Sequence, residues 1–476
     1  MTRLVTAARV ATLVGEFDRS PAYAGLAEAL VLLIGDGRIG LDTRLPSERE
    51  LTTALGVSRT TVTRAYAELR DAGYAVARQG AGTFTRVPGS RTRVHDRALL
   101  PRPGDSDAVD LGCAAPSAPP GITAAYAAAL ADLPAYLGGH GYFPAGLPEL
   151  QQAIAATYDA RGLPTDPDQV MVTPGALSAA SVVAQALAAA GDRVLVESPV
   201  YPNATDALRH AGARLVPSDV DPEGWDLDAV GTTLRRTAPR AAYLVPDFQN
   251  PTGHLMTDAQ REVYAAHLGR SGTTPIVDEA HQALALDGQE MPRPFAAFAP
   301  GTITIGSASK AYWGGLRLGW IRAPRGAMDR LTRARVSLDL GAPVLEQLAL
   351  VRLLADADVL AANRARLREQ RDALVGAVAT LLPDWTFHAP TGGLALWCRL
   401  PAPLGTAVAA EAELRGVIIT PGPVFAAEGG LDSFVRIPWS RPPEALRAAV
   451  AALAEAWAAV RDRPARRTPT GRVMVA

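Results

Sequence analysis

The first 86 residues carry apolar positions at the spacing of short helices, interrupted by glycines and polar caps. Apolar residues recur at helical spacing over residues 22–34, and Gly35 and Gly37 follow them. Ser47 and Glu50 stand three positions apart, which is the capping-box pattern at the start of a helix. We therefore predict one helix over residues 22–34 and a second helix that begins directly after Ser47.

A third helix and two short strands follow in the same block. Ser58 can cap a helix that we predict over residues 59–72. Its inward stripe consists of Val62, Tyr66 and Leu69, and its outward face carries Arg59, Thr61 and Arg64. Residues 74–77 and 83–87 are predicted strands, joined by a glycine-containing turn at residues 80–82. The order helix, turn, helix and β-hairpin predicts a winged helix-turn-helix.

The charge distribution suggests a partner for this block. Between residues 44 and 102 the sequence has eleven arginines and five acidic residues, although the formal net charge of the chain is −1. Such a local surplus of cations attracts the phosphates of double-stranded DNA, and the third helix of a winged helix-turn-helix enters the major groove. The alternative is a small helical module for protein contacts, with solvated arginines.

Three motifs in this block resemble the DNA-binding domain of the GntR family of bacterial regulators. They are LPSEREL at 45–51, LGVSRTTV at 55–62 and GAGTF at 80–84. By this resemblance the residues at the DNA operator are Arg49, Ser58, Arg59, Thr61 and Arg64, with the wing near Gly80 at the minor groove or backbone. The resemblance implies DNA binding as the role of the block.

The rest of the chain is predicted to be a larger α/β unit. Residues 87–108 are rich in proline, glycine and arginine without hydrophobic periodicity, which is typical of a linker. Short apolar strands alternate with helices from residue 109 onwards, and residues 463–476 form a basic tail. We predict three parts: a DNA-binding domain over 1–86, a linker over 87–108 and an α/β domain over 109–476.

Several strands of the larger unit end in residues that can bind a ligand. The strand that begins at Gln169 runs into a turn at Gly175 and Ala176 and then into an apolar helix over 177–189, and such a helix start suits a phosphate. Tyr201, directly after the next strand, can lie flat against an aromatic ring. Taken alone, the first feature is more often an ordinary strand-to-helix turn, and the second is more often a packing residue.

The only lysine of the chain, Lys310, points to a particular chemistry. The other 46 of its 47 basic residues are arginines. A primary amine can lose its proton and condense with an aldehyde, whereas a guanidinium stays protonated. This favours pyridoxal 5′-phosphate as a cofactor, bound to Lys310 as a Schiff base. An accident of an arginine-rich composition is the alternative, and the neighbouring residues weigh against it.

Polar residues at further strand ends match this cofactor. Asp278 follows an apolar strand and can pair with the protonated pyridine nitrogen, while Asn250 in the NPTG turn can donate to the phenolic oxygen. Ser307, Ser309 and Arg317 offer hydroxyls and a guanidinium for the phosphate. A single NPTG is equally a plain turn, but its combination with Asp278 and the SASK segment at 307–310 is specific.

A buried arginine is predicted near the C-terminus. Arg436 lies within an apolar strand over 434–439. A buried guanidinium needs an anionic partner. Either a structural acid or the carboxylate of a ligand can be that partner, and we favour the ligand carboxylate.

Together these residues resemble the fold-type I, class I aminotransferases over residues 109–460. The resemblance implies Lys310 as the internal aldimine, with Asp278, Asn250 and Tyr201 on the ring. It places Gly175, Ala176, Ser307, Ser309 and Arg317 on the phosphate, and Arg436 on the substrate carboxylate. Tyr142 is similar to the tyrosine that reaches the phosphate of the partner subunit, which implies a homodimer. One residue departs from the pattern, because His281 stands where the family has a tyrosine that bonds the phenolic oxygen.

The joined architecture resembles the MocR group of bacterial transcription regulators. The resemblance implies a DNA-binding regulator that senses pyridoxal phosphate, or a small amine or amino acid, through the aldimine at Lys310. Catalysis is then not its main role, although residual aminotransferase activity is compatible with the site. The alternative is a pyridoxal-phosphate-dependent aminotransferase with an accessory DNA-binding domain. A scaffold without cofactor is a third, weaker reading.

Composition narrows the setting of the protein. The 476 residues are 48% hydrophobic, yet no apolar run is long enough to span a bilayer. Cys113 and Cys398 lack CxxC spacing, which favours neither a disulfide framework nor a metal site. We therefore expect a cytoplasmic protein without a membrane partner or a bound metal.

Overall fold

The computed structural model describes most of the chain. The described residues are 4–35, 38–40, 43–78, 81–86, 108–221 and 223–461. Gly80, the basic tail over 463–476 and the predicted linker up to residue 107 lie outside them. The chain divides into two compact units, residues 1–95 with 119–128 and residues 96–118 with 129–476.

Four helices and a hairpin make up the N-terminal part. They are α1 (Ala7–Val14), α2 (Ala22–Gly35), α3 (Glu48–Leu55), α4 (Arg59–Asp71), β1 (Ala75–Arg78) and β2 (Gly82–Thr85). The two strands are antiparallel. Helix α1 was not predicted from the sequence, because its apolar positions are interrupted by arginine. The core of this part includes Leu26, Leu30, Leu51, Val62 and Tyr66, all buried.

Local capping explains where the two central helices begin. Ser47 Oγ accepts from the Glu50 backbone N–H, and the Glu50 carboxylate accepts from the Ser47 N–H at 2.8 Å, so the predicted capping box is present. Gly56 ends α3 in the left-handed region at φ 62°. Ser58 then caps α4 by accepting from Thr61 N. These short-range bonds fix the turn between α3 and α4.

The remaining helices and strands follow from residue 109 onwards, and the first of these helices begins in the segment 119–128 that is grouped with the N-terminal unit. The helices are α5 (Ile122–Asp132), α6 (Pro148–Asp159), α7 (Ala176–Leu187), α8 (Pro202–His210), α9 (Leu227–Thr237), α10 (Asp258–Ser271), α11 (Ala308–Ala311), α12 (Arg325–Val336), α13 (Val344–Ala355), α14 (Ala357–Leu381), α15 (Gly405–Glu413) and α16 (Pro443–Arg461). The strands are β3 (Val109–Asp110), β4 (Val170–Thr173), β5 (Arg193–Ser198), β6 (Arg214–Asp221), β7 (Gly224–Trp225), β8 (Ala241–Leu244), β9 (Thr274–Asp278), β10 (Ile303–Ser307), β11 (Gly319–Arg322), β12 (Thr386–Phe387), β13 (Ala395–Arg399), β14 (Val417–Ile418), β15 (Thr420–Pro421) and β16 (Phe434–Pro438).

An eight-stranded sheet organises this part. Its order is β4-β11-β10-β9-β8-β5-β6-β7. Strand β11 runs antiparallel to both of its neighbours, whereas β5, β6, β8, β9 and β10 are mutually parallel. The carboxyl ends of the parallel strands therefore meet the amino end of β11 at one edge. This edge is where open α/β sheets bind ligands.

A smaller antiparallel sheet lies in the C-terminal portion. Its order is β12-β13-β16-β15. The sheet packs with α14, α15 and α16 on a core that includes Leu396, Ile437, Leu446 and Leu453. In the same core Trp385 and Trp457 meet edge to face, with ring centroids 5.9 Å apart. This packing fixes β16, the strand that carries Arg436.

Among the described residues, no helix combines the length and the apolar character that a membrane crossing requires.

Candidate functional site

The carboxyl edge of the large sheet gathers the predicted site residues. Asp278 is the last residue of β9, and Lys310 lies in α11, directly after β10. Asn250 lies in the loop that follows β8. Because β8, β9 and β10 are adjacent and parallel, their ends bring these side chains to one place.

Lys310 is half-buried, and its amine is partly desolvated. Nζ donates to the carbonyl oxygen of Ala114 at 3.1 Å. Burial lowers the pKa of Lys310 to about 8, an effect that the positive charge of Arg436 reinforces and the nearby Cys113 and Asp278 oppose. A lysine with this lowered pKa has a larger neutral fraction near neutral pH than an ordinary lysine, and the neutral form is the nucleophilic one.

Asp278 is buried with one donor on each oxygen. The hydroxyl of Tyr243 donates to Oδ2 at 2.5 Å, and the backbone N–H of Ala280 donates to Oδ1 at 2.8 Å. Burial raises the pKa of Asp278, while these two hydrogen bonds and the charge of Lys310 act in the opposite direction. Each oxygen retains a lone pair that can accept from a cationic ring N–H.

His281 occupies a buried position with its tautomer set by the backbone. Nδ1 lies 3.0 Å from the carbonyl oxygen of Phe248, so this nitrogen carries the proton and donates. Burial lowers the pKa of His281 to about 4, which keeps the ring neutral. Nε2 is then an acceptor. Nε2 therefore has no proton to donate to a phenolic oxygen. His281 cannot make the hydrogen bond that the family's tyrosine donates, a question that the sequence left open.

A cradle of backbone N–H groups lies at the start of α7. Gly175 precedes the helix with φ 95°, and no side chain caps the free N–H groups that follow from Ala176. The Arg317 guanidinium lies against Gly175, because a Cβ built there would fall 3.0 Å from one of its terminal nitrogens. Arg317 itself adopts φ 50°, an uncommon conformation for a residue with a side chain. This corner joins a helix N-terminus to a cation, a combination suited to a phosphate.

Two buried serines complete the same corner. Ser307 Oγ accepts from the Ser309 backbone N–H at 3.2 Å and so caps the short helix α11. Both hydroxyls lie within one turn of Lys310. The amine and the hydroxyls are therefore held by the same strand-to-helix turn.

Tyr201 lies at the start of α8 and is half-buried. Its hydroxyl accepts from Asn203 Nδ2 at 2.8 Å. The ring packs against an apolar cluster that contains Trp397 and Phe425. Burial raises the pKa of Tyr201, so the hydroxyl stays protonated.

Arg436 is a fully buried cation. It donates to Asn250 Oδ1 at 3.3 Å and to the carbonyl oxygen of Gly112, and its guanidinium lies 4.9 Å from the ring centroid of Phe425. In the part of the chain that the structure describes, Arg436 has no ion pair and its Nε has no hydrogen-bond partner. Burial lowers its pKa to about 10. The structural acid that the sequence allowed is thus not found among these residues, which favours a ligand carboxylate.

The segment over 112–114 belongs to the site and was not predicted. The carbonyl oxygens of Gly112 and Ala114 accept from Arg436 and Lys310. Between them, the Cys113 carbonyl accepts from Ser440 Oγ at 3.1 Å. These contacts use backbone oxygens, so the side chains gave no signal beyond a run of small residues.

Tyr142 lies at the protein surface and is 58% exposed. Its backbone N–H donates to Nδ1 of His140 at 3.0 Å, and the two rings lie 5.6 Å apart. Leu137, Leu338 and Leu340 are also exposed. Their two segments are adjacent, because a Cβ on Gly341 would fall 2.7 Å from the Phe143 carbonyl oxygen. The result is an apolar surface around Tyr142.

The candidate nucleic-acid interface in the N-terminal unit is the outer face of α4 with the start of α3. Arg49, Arg59 and Arg64 are all exposed there. Arg64 lies over the ring of Tyr23 at 3.8 Å, and Arg59 forms a 3.7 Å ion pair with Glu48. Both contacts hold the guanidinium groups at the surface, where they can meet phosphates.

Ser58 and Thr61, the other two residues predicted to face DNA, form the N-terminal cap of α4. Ser58 and Thr61 share a hydroxyl–hydroxyl hydrogen bond of 2.8 Å, and Ser58 Oγ also accepts from the Thr61 backbone N–H at 3.0 Å. The pair therefore fixes the first turn of α4, the turn that a recognition helix presents to bases.

Comparisons with protein families match both units. Residues 22–85 match the family described as bacterial regulatory proteins, gntR family. Residues 122–453 match the family described as aminotransferase class I and II. The second match covers well over half of the chain.

Relatives of two kinds are similar to this chain. An uncharacterized HTH-type transcriptional regulator of Escherichia coli, YdcR, is 30% identical over 453 residues, covering 87% of this chain and 94% of its own. The probable rhizopine catabolism regulatory protein MocR of Rhizobium meliloti is 29% identical over 434 residues, covering 84% and 86%. The crystal structure of LysN, the α-aminoadipate aminotransferase of Thermus thermophilus, complexed with N-(5′-phosphopyridoxyl)-L-leucine, has a TM-score of 0.68 at 29% identity, covering 74% of this chain and 92% of that one.

The fold and the aminotransferase match imply pyridoxal 5′-phosphate as the cofactor, and the residues present fit it. The Gly175 cradle beside Arg317 has the shape and charge for a phosphate, since any side chain at Gly175 would fill it. Asp278 offers a buried carboxylate for a ring N–H. Lys310 offers a primary amine of lowered pKa, which an aldehyde cofactor requires.

Proposed function

Because the chain belongs to the aminotransferase class I and II family and carries an N-terminal gntR-family domain, we propose that it is a pyridoxal-phosphate-dependent transcription regulator of the MocR type. The observation that carries this proposal is the union of the two domains in one chain. Relatives named as regulators match it over 87% and 84% of its length. A protein that binds an operator acts on the chromosome, so we place it in the cytoplasm.

Lys310 is the proposed sensing residue. Pyridoxal phosphate, when bound, supplies an aldehyde that the amine of Lys310 or a free amine can take up as a Schiff base. The lowered pKa of Lys310, about 8, supports this role because the neutral amine is the reactive form. When a free amine takes the place of Lys310 on the cofactor, the Lys310 amine is released and can form other hydrogen bonds.

Arg436 narrows the class of effector. It is a buried guanidinium without an ion pair in the described residues, and it reaches Asn250 and the Gly112 carbonyl. A carboxylate on the incoming amine satisfies this cation. We therefore propose an amino acid as the effector class, with pyridoxal phosphate itself as the other ligand that can act as the signal.

The contacts of Lys310 and Arg436 also suggest how effector binding at the site changes the conformation of the neighbouring chain segment. Both residues hold carbonyl oxygens of the segment over 112–114, which follows the proposed linker over 87–108 along the chain. When Lys310 is engaged elsewhere, the Ala114 carbonyl loses its 3.1 Å partner. An effector shifts a conformational population only if it binds two states unequally, and this contact gives the two states different energies.

Tyr142 supports a homodimer as the working form. It lies in an apolar surface with Leu137, Leu338 and Leu340, of which Leu137 is 70% exposed. Contiguous apolar surface of this kind marks a protein interface. We propose that a second copy covers it and that Tyr142 reaches the phosphate of the partner subunit. Sedimentation of the full chain tests this: a monomer at micromolar concentration contradicts it.

A binding assay on DNA tests the regulatory function. The full chain is titrated onto a labelled fragment from upstream of its own gene, with pyridoxal phosphate and with a panel of amino acids. We expect a sequence-specific complex whose affinity changes about fivefold or more with one of these ligands. Lys310→Arg is the matched control, since it keeps a cation but cannot form the covalent link. It should bind the fragment without responding to the ligand.

Two results contradict the proposal. Absence of a specific complex with any tested ligand removes the regulatory function. A specific complex that responds equally in Lys310→Arg leaves DNA binding intact but removes the sensing role of Lys310.

The second candidate function is an aminotransferase with an accessory DNA-binding domain. Lys310 with a lowered pKa and Asp278 at the same sheet edge favour it. Sustained transfer of an amino group to a keto acid at roughly 1 per second or faster is enzyme-like turnover. Such a rate from the purified full chain supports this candidate. The neutral acceptor ring of His281 is an observation against it, because the family's tyrosine donor is missing.

A further inference from the structure

A cavity whose lining does not include the cofactor-site residues lies between the NPTG loop and the small sheet. Its volume is about 390 Å³. The lining residues are Pro199, Val220, Thr252, His254, Thr386, Phe387, His388, Trp397, Arg399, Leu431 and Phe434. Neither Lys310 nor Asp278 is among them. The cavity is large enough for a ligand of one or two rings.

The polar groups of this cavity suit an anion. Arg399 lines it and forms no ion pair within the described residues. The rings of His254 and His388 are stacked, with centroids 5.0 Å apart, and Thr386 adds a hydroxyl group. The Thr252 hydroxyl donates to Oε1 of Gln249 at 2.8 Å. No carboxylate side chain is among the lining residues. A guanidinium fork without an internal acid is matched by a carboxylate.

The wall of the cavity that the small sheet forms suits a planar ring. Trp397 and Phe434 lie parallel, with centroids 5.0 Å apart and an angle of 6° between the planes. Phe434 pairs with Arg399 across β13 and β16, so the flat aromatic surface and the cation stand side by side on one sheet face. A ring can stack here while its charged group reaches Arg399.

Packed aromatic rings lie between this cavity and Arg436 and contact both. Phe425 meets Trp397 edge to face at 5.5 Å, and the Arg436 guanidinium lies 4.9 Å from the centroid of the same Phe425 ring. Trp397 is the cross-strand neighbour of Arg436. A ligand against Trp397 is therefore one ring away from the guanidinium that faces the cofactor site.

We propose that this cavity is a second small-molecule site, which binds an aromatic carboxylate through Arg399 and the Trp397–Phe434 wall. The site is separate from the cofactor site. The proposal depends only on the residues that line the cavity, so it holds whether the chain acts as a regulator or as an enzyme.

Binding of 2-naphthoate to the full chain with its cofactor bound tests the site. Isothermal titration calorimetry measures the affinity, and 2-naphthalenemethanol is the uncharged probe of the same shape. We expect wild type to bind 2-naphthoate and to bind the alcohol at least tenfold more weakly. Arg399→Gln should lower the affinity for 2-naphthoate about tenfold, which corresponds to about 1.4 kcal/mol, and leave the alcohol unaffected.

Two further variants control for binding elsewhere. Thr386→Trp places a ring inside the cavity and should abolish 2-naphthoate binding. Arg447→Gln removes an exposed cation from α16, away from the lining residues, and should bind like wild type. The proposal is overturned if wild type does not bind at millimolar 2-naphthoate. It is equally overturned if Arg399→Gln and Thr386→Trp bind with unchanged affinity, because the probe then lies at another site such as Arg436.

Discussion

Tyr243 donates its hydroxyl to Oδ2 of Asp278 across a distance of 2.5 Å, at the buried ends of two adjacent strands. This hydrogen bond counteracts the burial that raises the pKa of Asp278, and so favours the carboxylate form. A carboxylate, and not a neutral acid, is what pairs with a protonated pyridine nitrogen. We therefore propose a positioning role for Tyr243 that acts through Asp278.

Tyr243→Phe should weaken cofactor binding and destabilise the fold. Loss of a hydrogen bond to a charged, buried group costs about 2 kcal/mol, and the pKa of Asp278 should rise further. We expect the affinity for pyridoxal phosphate, measured by absorbance titration, to fall about tenfold. Tyr264→Phe is the matched control, since the Tyr264 hydroxyl is buried without a partner in the described structure. Equal losses in both variants would assign the effect to packing alone.

The pKa of Lys310 predicts how fast the chain captures its cofactor at different pH values. Burial lowers this pKa to about 8, so the reactive neutral amine increases as the pH rises through 8. After pyridoxal phosphate is added to cofactor-free protein, we expect the rate of visible band formation to rise between pH 6.5 and 9, with a midpoint near 8. Lys310→Arg should give no such band at any pH. A rate that is independent of pH over this range contradicts the prediction.

Gly175→Ala should act mainly on phosphate recognition. Its φ of 95° disfavours any side chain, and the new Cβ would lie 3.0 Å from the Arg317 guanidinium. We expect about tenfold weaker binding of pyridoxal phosphate, and little change for pyridoxal, which lacks the phosphate. Gly162→Ala is the control, because Gly162 also has a positive φ, 76°, but open space around its Cβ position. Both variants should lose about 1 kcal/mol of stability in urea unfolding.

Arg49→Gln should lower operator affinity in a salt-dependent way. Arg49 is exposed at the start of α3. If it neutralises one phosphate, the slope of log affinity against log salt should become less steep by about 0.9. Anisotropy titrations between 50 and 200 mM salt, roughly the range over which such slopes are resolved, measure this change. Arg447→Gln should leave the slope at its wild-type value, and an unchanged slope in Arg49→Gln would place that residue away from the DNA.

The parts of the fold and site that the sequence predicted depend on local patterns. Ser47 and Glu50 define a helix start through residues three positions apart, and the structure has that capping box. Asp278 and Lys310 follow apolar strands, and parallel strands bring such ends together whatever the details of packing. The α/β fold with a winged N-terminal domain was predictable for the same reason.

The parts that were not predicted depend on contacts between distant segments. Tyr243 faces Asp278 only because β8 and β9 are neighbours, and inside an apolar strand its hydroxyl gives no local signal. Gly112 and Ala114 contribute backbone carbonyl oxygens, which every residue has, so no residue type marks these two positions in the sequence. The tautomer of His281 is likewise set by the backbone of Phe248, far away in sequence.

Because Lys310 is the sole lysine and is only half-buried, acylating reagents can modify just one side-chain amine in this protein. Covalent labelling there becomes a direct reporter of whether the site is filled, since an amine engaged by the cofactor is shielded from the reagent. Intact-mass spectrometry can therefore count vacant sites in a population without any engineered tag, after allowance for the α-amino group.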